Sequence, residues 1–149
     1  MSKIIPYNIQ IETVAGKCTV SCNMCPIEQH PRKEIMSDEL FDQIIHKLLK
    51  IKKNIKFFNL VGIGEPLLDK TTHVKVEKCK KLGFQNVCIY TNATALNKKN
   101  SSKLLEAKLD VLVVSLDGFK QSQERIRVGS NYDIIEKNII NFINLRNSF

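Results

Sequence analysis

Four stretches of this chain have the apolar pattern of a short strand, and each is followed by residues with the apolar spacing of a helix. This alternation constrains the fold most, because strands joined through helices pair in parallel with the helices packed outside. Tyr7-Asn8-Ile9-Gln10-Ile11-Glu12 alternates apolar and polar residues with the period of two of a strand with one polar face. Ser37 is placed to cap a helix whose first turn holds Asp38 and Glu39. Leu40, Phe41, Ile44, Ile45, Leu48 and Ile51 then recur at helical spacing.

A second apolar run, Ile55 to Val61, ends in Gly62-Ile63-Gly64-Glu65-Pro66. A weaker helix is expected from Asp69 to Leu82, with Gly83 at its C′ position. Val87 to Tyr90 reads as a third strand leading into Thr91 and Asn92, and Asn97 caps a short helix through Leu105. Val111 to Val114 is apolar and β-branched enough for a strand buried on both faces. Ile134, Ile135, Ile139, Phe142 and Ile143 mark a last helix. The expectation is an α/β fold of four βα units around a parallel sheet.

Parallel βα units carry functional groups at the C-terminal ends of their strands. The candidate residues all fall there: Cys18 after the first strand, Glu65 after the second, Asn92 after the third, Ser115 and Asp117 after the fourth. In the first strand, Ile9 and Ile11 facing helices would turn Gln10 and Glu12 toward a polar central cavity.

The net charge of +8 raises the question of nucleic acid. The lysines, among them Lys47, Lys75, Lys78, Lys80, Lys81, Lys98 and Lys99, are scattered over what read as exposed helix faces. No aromatic residues interleave with them as base stacking requires, so a solvated basic surface is expected. No apolar run reaches the roughly 18 residues of a membrane span, and Met1 to Pro6 contain no signal-peptide core. A cytoplasmic protein without a membrane partner follows as the expectation.

Five cysteines are an odd number for a disulfide framework, and three of them crowd into Cys18-Thr19-Val20-Ser21-Cys22-Asn23-Met24-Cys25-Pro26. Three soft thiolates on a short loop select an iron–sulfur cluster or zinc. On a cubane cluster they leave one iron free for a small molecule. A zinc module with His30 as fourth ligand is the alternative. Cys79, beside Val76 and Leu82 on a helix stripe, and Cys88, inside a strand, read as core.

The cysteine spacing resembles the C-x3-C-x2-C motif of the radical SAM superfamily, with Met24 at the position before the third cysteine that is often aromatic there. Gly62-Ile63-Gly64-Glu65-Pro66 is similar to that family's GGE segment, Tyr90-Thr91-Asn92-Ala93 to its TNG segment, and Val114-Ser115-Leu116-Asp117-Gly118 to its SLDG segment. Arg125-Ile126-Arg127 resembles the arginine segment that follows. The Met24-Cys25-Pro26 and Gly64-Glu65-Pro66-Leu67-Leu68 stretches look most like members with an additional cluster domain of the SPASM type.

The resemblance implies a truncated, partial TIM-like barrel with four of the family's six βα units, so that residues 1–149 are the N-terminal portion of a radical SAM core. It implies a radical SAM enzyme, incomplete over these residues. Cys18, Cys22 and Cys25 would hold a 4Fe–4S cluster. Met24, Gly62, Ile63, Gly64, Glu65, Asn92, Ser115, Asp117 and Arg127 would contact S-adenosylmethionine, with Arg127 rather than Arg125 pairing its carboxylate. The resemblance further implies a peptide or small-molecule substrate, an electron donor such as flavodoxin or ferredoxin, and a missing C-terminal half or partner subunit. Without that half, the fourth strand would expose an unpaired edge and favour self-association. A cluster- or SAM-binding fragment without turnover is the remaining alternative.

Overall fold

The computed structural model describes residues 5–149; of the N-terminal run read above, Met1 to Ile4 lie outside the described residues. The chain runs β1 (Asn8–Ile11), β2 (Val14–Ala15), β3 (Ser21–Cys22), β4 (Glu34–Ile35), α1 (Asp38–Leu48), β5 (Phe57–Leu60), α2 (Thr72–Lys81), β6 (Val87–Thr91), α3 (Lys98–Glu106), β7 (Val111–Val114), α4 (Gln121–Ile126), β8 (Arg127–Val128) and α5 (Tyr132–Arg146). The sheet has the order β1-β5-β6-β7 with every neighbouring pair parallel. Two short antiparallel ribbons, β2 with β4 and β3 with β8, sit outside it.

The helices begin where the caps stand. Ser37 Oγ accepts from the Leu40 N–H at 3.2 Å, Asn97 Oδ1 from Asn100 at 3.0 Å, and Asn131 Oδ1 from Ile134 at 3.0 Å. α2 starts at Thr72 rather than Asp69, because Asp69 Oδ1 turns back to accept from the Thr71 N–H at 2.8 Å. Its far end closes as a Schellman motif. Gly83, at φ +78°, donates to Lys80 O, and Phe84 N–H reaches Cys79 O at 3.0 Å.

The core lies between the sheet and the helices. Phe41 and Ile45 of α1, Phe58 and Leu60 of β5, Val76 of α2 and Ile89 of β6 are all buried there, each contributing roughly 1.5–3 kcal/mol of apolar burial. Cys79 belongs to the same cluster. Ile11 is buried in the core and Ile9 packs against it, while Gln10 is exposed on the opposite face. On that face Asn59 Nδ2 donates to Asn8 Oδ1 at 2.6 Å, so the concave side of the sheet is polar, as the first strand's alternation implied.

Three expectations are corrected. Val111 to Val114 is not buried on both faces: β7 pairs on one side only, Val111 is 41% exposed, and its three neighbours are half-buried. β6, one of the two strands with neighbours on both sides, takes the buried place instead. Leu40 of α1 and Ile134 and Ile143 of α5 are exposed, so the apolar stripes of these helices are wider than the surface the sheet covers. Lys75 is not on an exposed face either, being 1% exposed. Its ammonium donates to Asp38 Oδ1 (2.7 Å), Asp69 Oδ2 (2.8 Å) and Thr71 Oγ1 (2.9 Å), which satisfies all three donors and bolts α1 to α2. No helix among the described residues is long and apolar enough to cross a membrane.

Candidate functional site

The cysteine loop is fixed at its base before any sulfur is placed. Gly16, at φ +62°, has no room for a Cβ against Arg32 O, and its N–H donates to Ile63 O at 2.6 Å. The Glu65 N–H donates to Lys17 O at 2.8 Å. Glu12 closes the joint from below: its carboxylate accepts from the Ile63 N–H at 2.7 Å and from Arg32 Nη2 at 2.9 Å. The loop that carries the cysteines and the loop after β5 are therefore one assembly.

Within that loop, Cys22 lies in β3 and pairs in register with Arg127 of β8. Asn23 extends the clamp by donating from its N–H to Ile126 O (2.9 Å) and from Nδ2 to Arg125 O (3.0 Å). Cys25 precedes a 3₁₀ turn, Pro26–Gln29, and donates from its N–H to Cys22 O at 2.9 Å. Proline opens that turn at a position where no backbone donor is needed. Cys18, Cys22 and Cys25 then share a pocket of about 330 Å³ with Gly62, Gly64 and Glu65. Asn92, Ser115 and Arg127 complete its other side, and Met24, 60% exposed, lies at the mouth.

Polar groups from distant strands reach the sulfurs. Asn92 Nδ2 donates to Cys18 Sγ at 3.3 Å and to Thr19 Oγ1 at 3.0 Å, while its Oδ1 accepts from the Thr94 N–H at 2.9 Å. Arg127 Nη1 donates to Cys22 Sγ at 3.5 Å. Arg127 Nε lies 2.6 Å from Asp117 Oδ2, an ionic contact off the hydrogen-bonding direction. Burial pushes the Cys22 thiol above its ordinary pKa; the Arg127 charge opposes this, and Cys18, Cys25 and Asp117 add to it.

Glu65 is 2% exposed. Its carboxylate accepts from Thr91 Oγ1 (2.7 Å), the Asn92 N–H (2.9 Å) and the Leu67 N–H (3.1 Å). Burial holds its pKa above the usual carboxylate value, and these donors pull it partly back. Ala93 takes φ +61°, a left-handed conformation that glycine adopts at less cost.

Several predicted site residues stand elsewhere or act differently. Ile63 does not line the pocket; its N–H and C=O are both engaged by Glu12 and Gly16. Asp117 lies in an exposed loop and meets the site through Arg127. The Arg125 side chain is exposed, and only its carbonyl takes part. Gly62 and Gly64 are small for reasons inside the chain, since a Cβ at either would overlap the Glu12 side chain or the Val14 carbonyl oxygen.

His30, the fourth ligand of the zinc alternative, is engaged by other partners. Its Nδ1 lies 2.7 Å from Arg32 O and its Nε2 3.4 Å from Glu12 Oε2. Among the described residues no three His, Cys, Asp or Glu side chains converge to hold one ion, as a lone zinc requires. A cluster distributes its thiolates over several irons, so three sulfurs around one pocket, two of them with N–H donors, suit it better. Glu12 is a site residue that no motif marks in the sequence, whereas Thr91 lies inside the TNG-like segment and acts by holding Glu65. Tyr90, at the start of the same TNG-like segment, also lines the pocket.

Comparison with known proteins agrees with this geometry. The family model of the Radical SAM superfamily matches residues 13–147. A curated relative of Methanothermobacter marburgensis, named Probable GTP 3′,8-cyclase, is 31% identical over 122 residues, covering 80% of this chain and 38% of the relative. The crystal structure of BtrN in complex with AdoMet and 2-DOIA is similar with a TM-score of 0.70 at 21% identity, over 89% of this chain and 50% of that one. Native anSMEcpe with bound AdoMet is similar with a TM-score of 0.72 at 21% identity, over 93% of this chain and 41% of that one. The chain thus spans half the length or less of these proteins. With a family match from Thr13 through α5 and a fold shared with AdoMet-bound structures, the chain belongs to the radical SAM superfamily, which uses a 4Fe–4S cluster and S-adenosylmethionine.

Proposed function

We propose that residues 1–149 form the N-terminal portion of a radical SAM core in which Cys18, Cys22 and Cys25 hold the cluster and the adjoining pocket binds S-adenosylmethionine. The observation that carries this is the enclosure of three cysteines and the ends of all four strand-to-helix connections around one pocket of about 330 Å³. When bound, the cofactor pair supplies one-electron cleavage of the sulfonium C–S bond, giving methionine and a 5′-deoxyadenosyl radical that takes hydrogen from a substrate.

The chain's own residues bind and orient. Arg127 has five N–H donors, of which one is given to Cys22, leaving others for the methionyl carboxylate while Asp117 holds the guanidinium by charge. Glu65 ties the loop after β5 to the end of β6 through Thr91 and Asn92, and a buried carboxylate at the pocket favours the methionyl ammonium. Ser115 offers a hydroxyl to the ribose, and the Met24 thioether offers polarizable surface at the mouth. The partners that go with this reading are a peptide or small-molecule substrate and an electron donor such as flavodoxin or ferredoxin.

The test uses the full chain, reconstituted without oxygen. Iron and acid-labile sulfide are expected, both lost in the Cys18→Ala/Cys22→Ala/Cys25→Ala variant. With dithionite and S-adenosylmethionine, 5′-deoxyadenosine is expected. Metal and sulfide undiminished in the triple variant would overturn the reading. A cluster that binds S-adenosylmethionine without releasing deoxyadenosine would restrict these residues to binding.

A further inference from the structure

Resting on the cluster assignment above, we propose that Arg127, held by Asp117, sets the reduction potential of the cluster through the sulfur of Cys22. The three sulfurs are not alike. Cys22 meets a guanidinium at 3.5 Å, Cys18 meets a neutral amide at 3.3 Å, and among the described residues Cys25 has no side-chain donor. Hydrogen bonds to cluster sulfurs and nearby charge are the protein's main means of tuning such centres. A cationic donor beside a thiolate ligand stabilises the reduced, more negative state and raises the potential.

The geometry makes Arg127 a fixed part of the cradle. Its backbone pairs with Cys22 across β3 and β8, so donor and acceptor are locked by the same ribbon. Its side chain is 16% exposed, which keeps water from screening the contact fully. Asp117, 2.6 Å from Nε, does two opposing things: it aims the guanidinium and partly cancels its charge. Asp117 is itself held by its own N–H, which donates to Oε1 of the buried Gln123 at 2.7 Å. The loop after β7 is thereby coupled to the electronic state of a centre mounted after β2. Arg127 is a positioning and tuning residue here, and this role is separate from contact with the methionyl carboxylate.

The experiment is a redox titration of the reconstituted full chain without S-adenosylmethionine, followed by electron paramagnetic resonance of the reduced cluster. Arg127→Gln is expected to shift the one-electron equilibrium against reduction by about threefold to tenfold, up to about 59 mV. Asp117→Asn is expected to shift it the other way, because a negative charge is removed and the guanidinium stays. Arg127→Lys keeps the charge without the planar fork and should fall between wild type and Arg127→Gln. Loss of packing alone would not move the two partners in opposite directions.

An unchanged potential in Arg127→Gln with iron and sulfide retained would overturn the proposal, as would shifts of the same sign in both variants. If Arg127→Gln loses its cluster, Arg127→Lys and Asp117→Asn decide in the same way, and cluster loss in all three would make Arg127 a structural clamp only. A wild-type chain with no cluster signal would instead overturn the assignment on which this rests, so the two failures are distinct.

Discussion

Thr91 Oγ1 donates to Glu65 Oε1 across 2.7 Å, joining the end of β6 to the loop that follows β5 within the buried rim of the pocket. The same carboxylate also satisfies the N–H groups of Asn92 and Leu67. Glu65→Gln presents an NH₂ group to one of these N–H donors and should lower stability by about 1–3 kcal/mol in denaturant unfolding. Because burial raises the Glu65 pKa, its contribution is full below the ordinary carboxylate value and falls as pH rises through the raised one. The gap between wild type and Glu65→Gln should therefore narrow as pH rises, and a gap that widens would refute the assignment.

Lys75 lies between Asp69, which is also buried, and Asp38, which is half-exposed. Lys75→Ala leaves the Asp69 carboxylate buried without a partner and should cost about 3–5 kcal/mol. Asp38→Asn removes the more exposed partner and should cost within about 1 kcal/mol. The Lys75 hydrogen bond lowers the Asp38 pKa, so that smaller contribution is present above the ordinary carboxylate range and is lost as pH falls through the lowered value. Chemical denaturation of both variants checks the order.

The glycines separate packing from conformation. At Gly64 a Cβ would run into the Val14 carbonyl oxygen, which is backbone and has little freedom to retreat. Gly64→Ala should therefore displace the cysteine loop and abolish metal incorporation. At Gly83 the nearest atom to such a Cβ is Lys52 Nζ at 3.1 Å, the end of a flexible side chain. Gly83→Ala should cost only the left-handed backbone, about 1–2 kcal/mol, and leave iron content unchanged.

The five thiols divide by environment. Burial pushes Cys79 up to about 12 and Cys88 up to about 11, so neither is a thiolate near neutral pH. Cys18, Cys22 and Cys25 are partly exposed. Iodoacetamide on folded apoprotein at about pH 8 should modify those three alone, and all five after unfolding. Mass spectrometry of the peptides reads this directly, and early labelling of Cys79 would contradict the core placement.

The sheet is legible in the sequence because periodicity reports on which face of an element is buried, and Ile9, Ile11, Phe41 and Ile45 follow it. Capping is legible for the same local reason: Ser37 and Asn97 act on donors three residues away. Lys75 is not, because a lysine on a helix is ordinarily solvated, and only the approach of Asp38 and Asp69 in space makes its burial possible. Most motif residues meet at the pocket, yet the reasons for some differ. Gly62 and Gly64 yield to Glu12 and Val14, and Ile63 spends its backbone on Glu12 and Gly16. Such contacts join residues far apart along the chain, which no local pattern encodes.

The ribbon between β3 and β8 has a consequence for how this protein is made. Cys22 and Arg127 are 105 residues apart in sequence. A chain emerging from the ribosome presents its reactive sulfurs early and obtains their clamp only after most of these residues have been synthesised. Long-range pairing of this kind forms late, so loading with iron should follow closure of the ribbon, and nascent chains stalled before Arg127 should leave Cys22 open to oxidants.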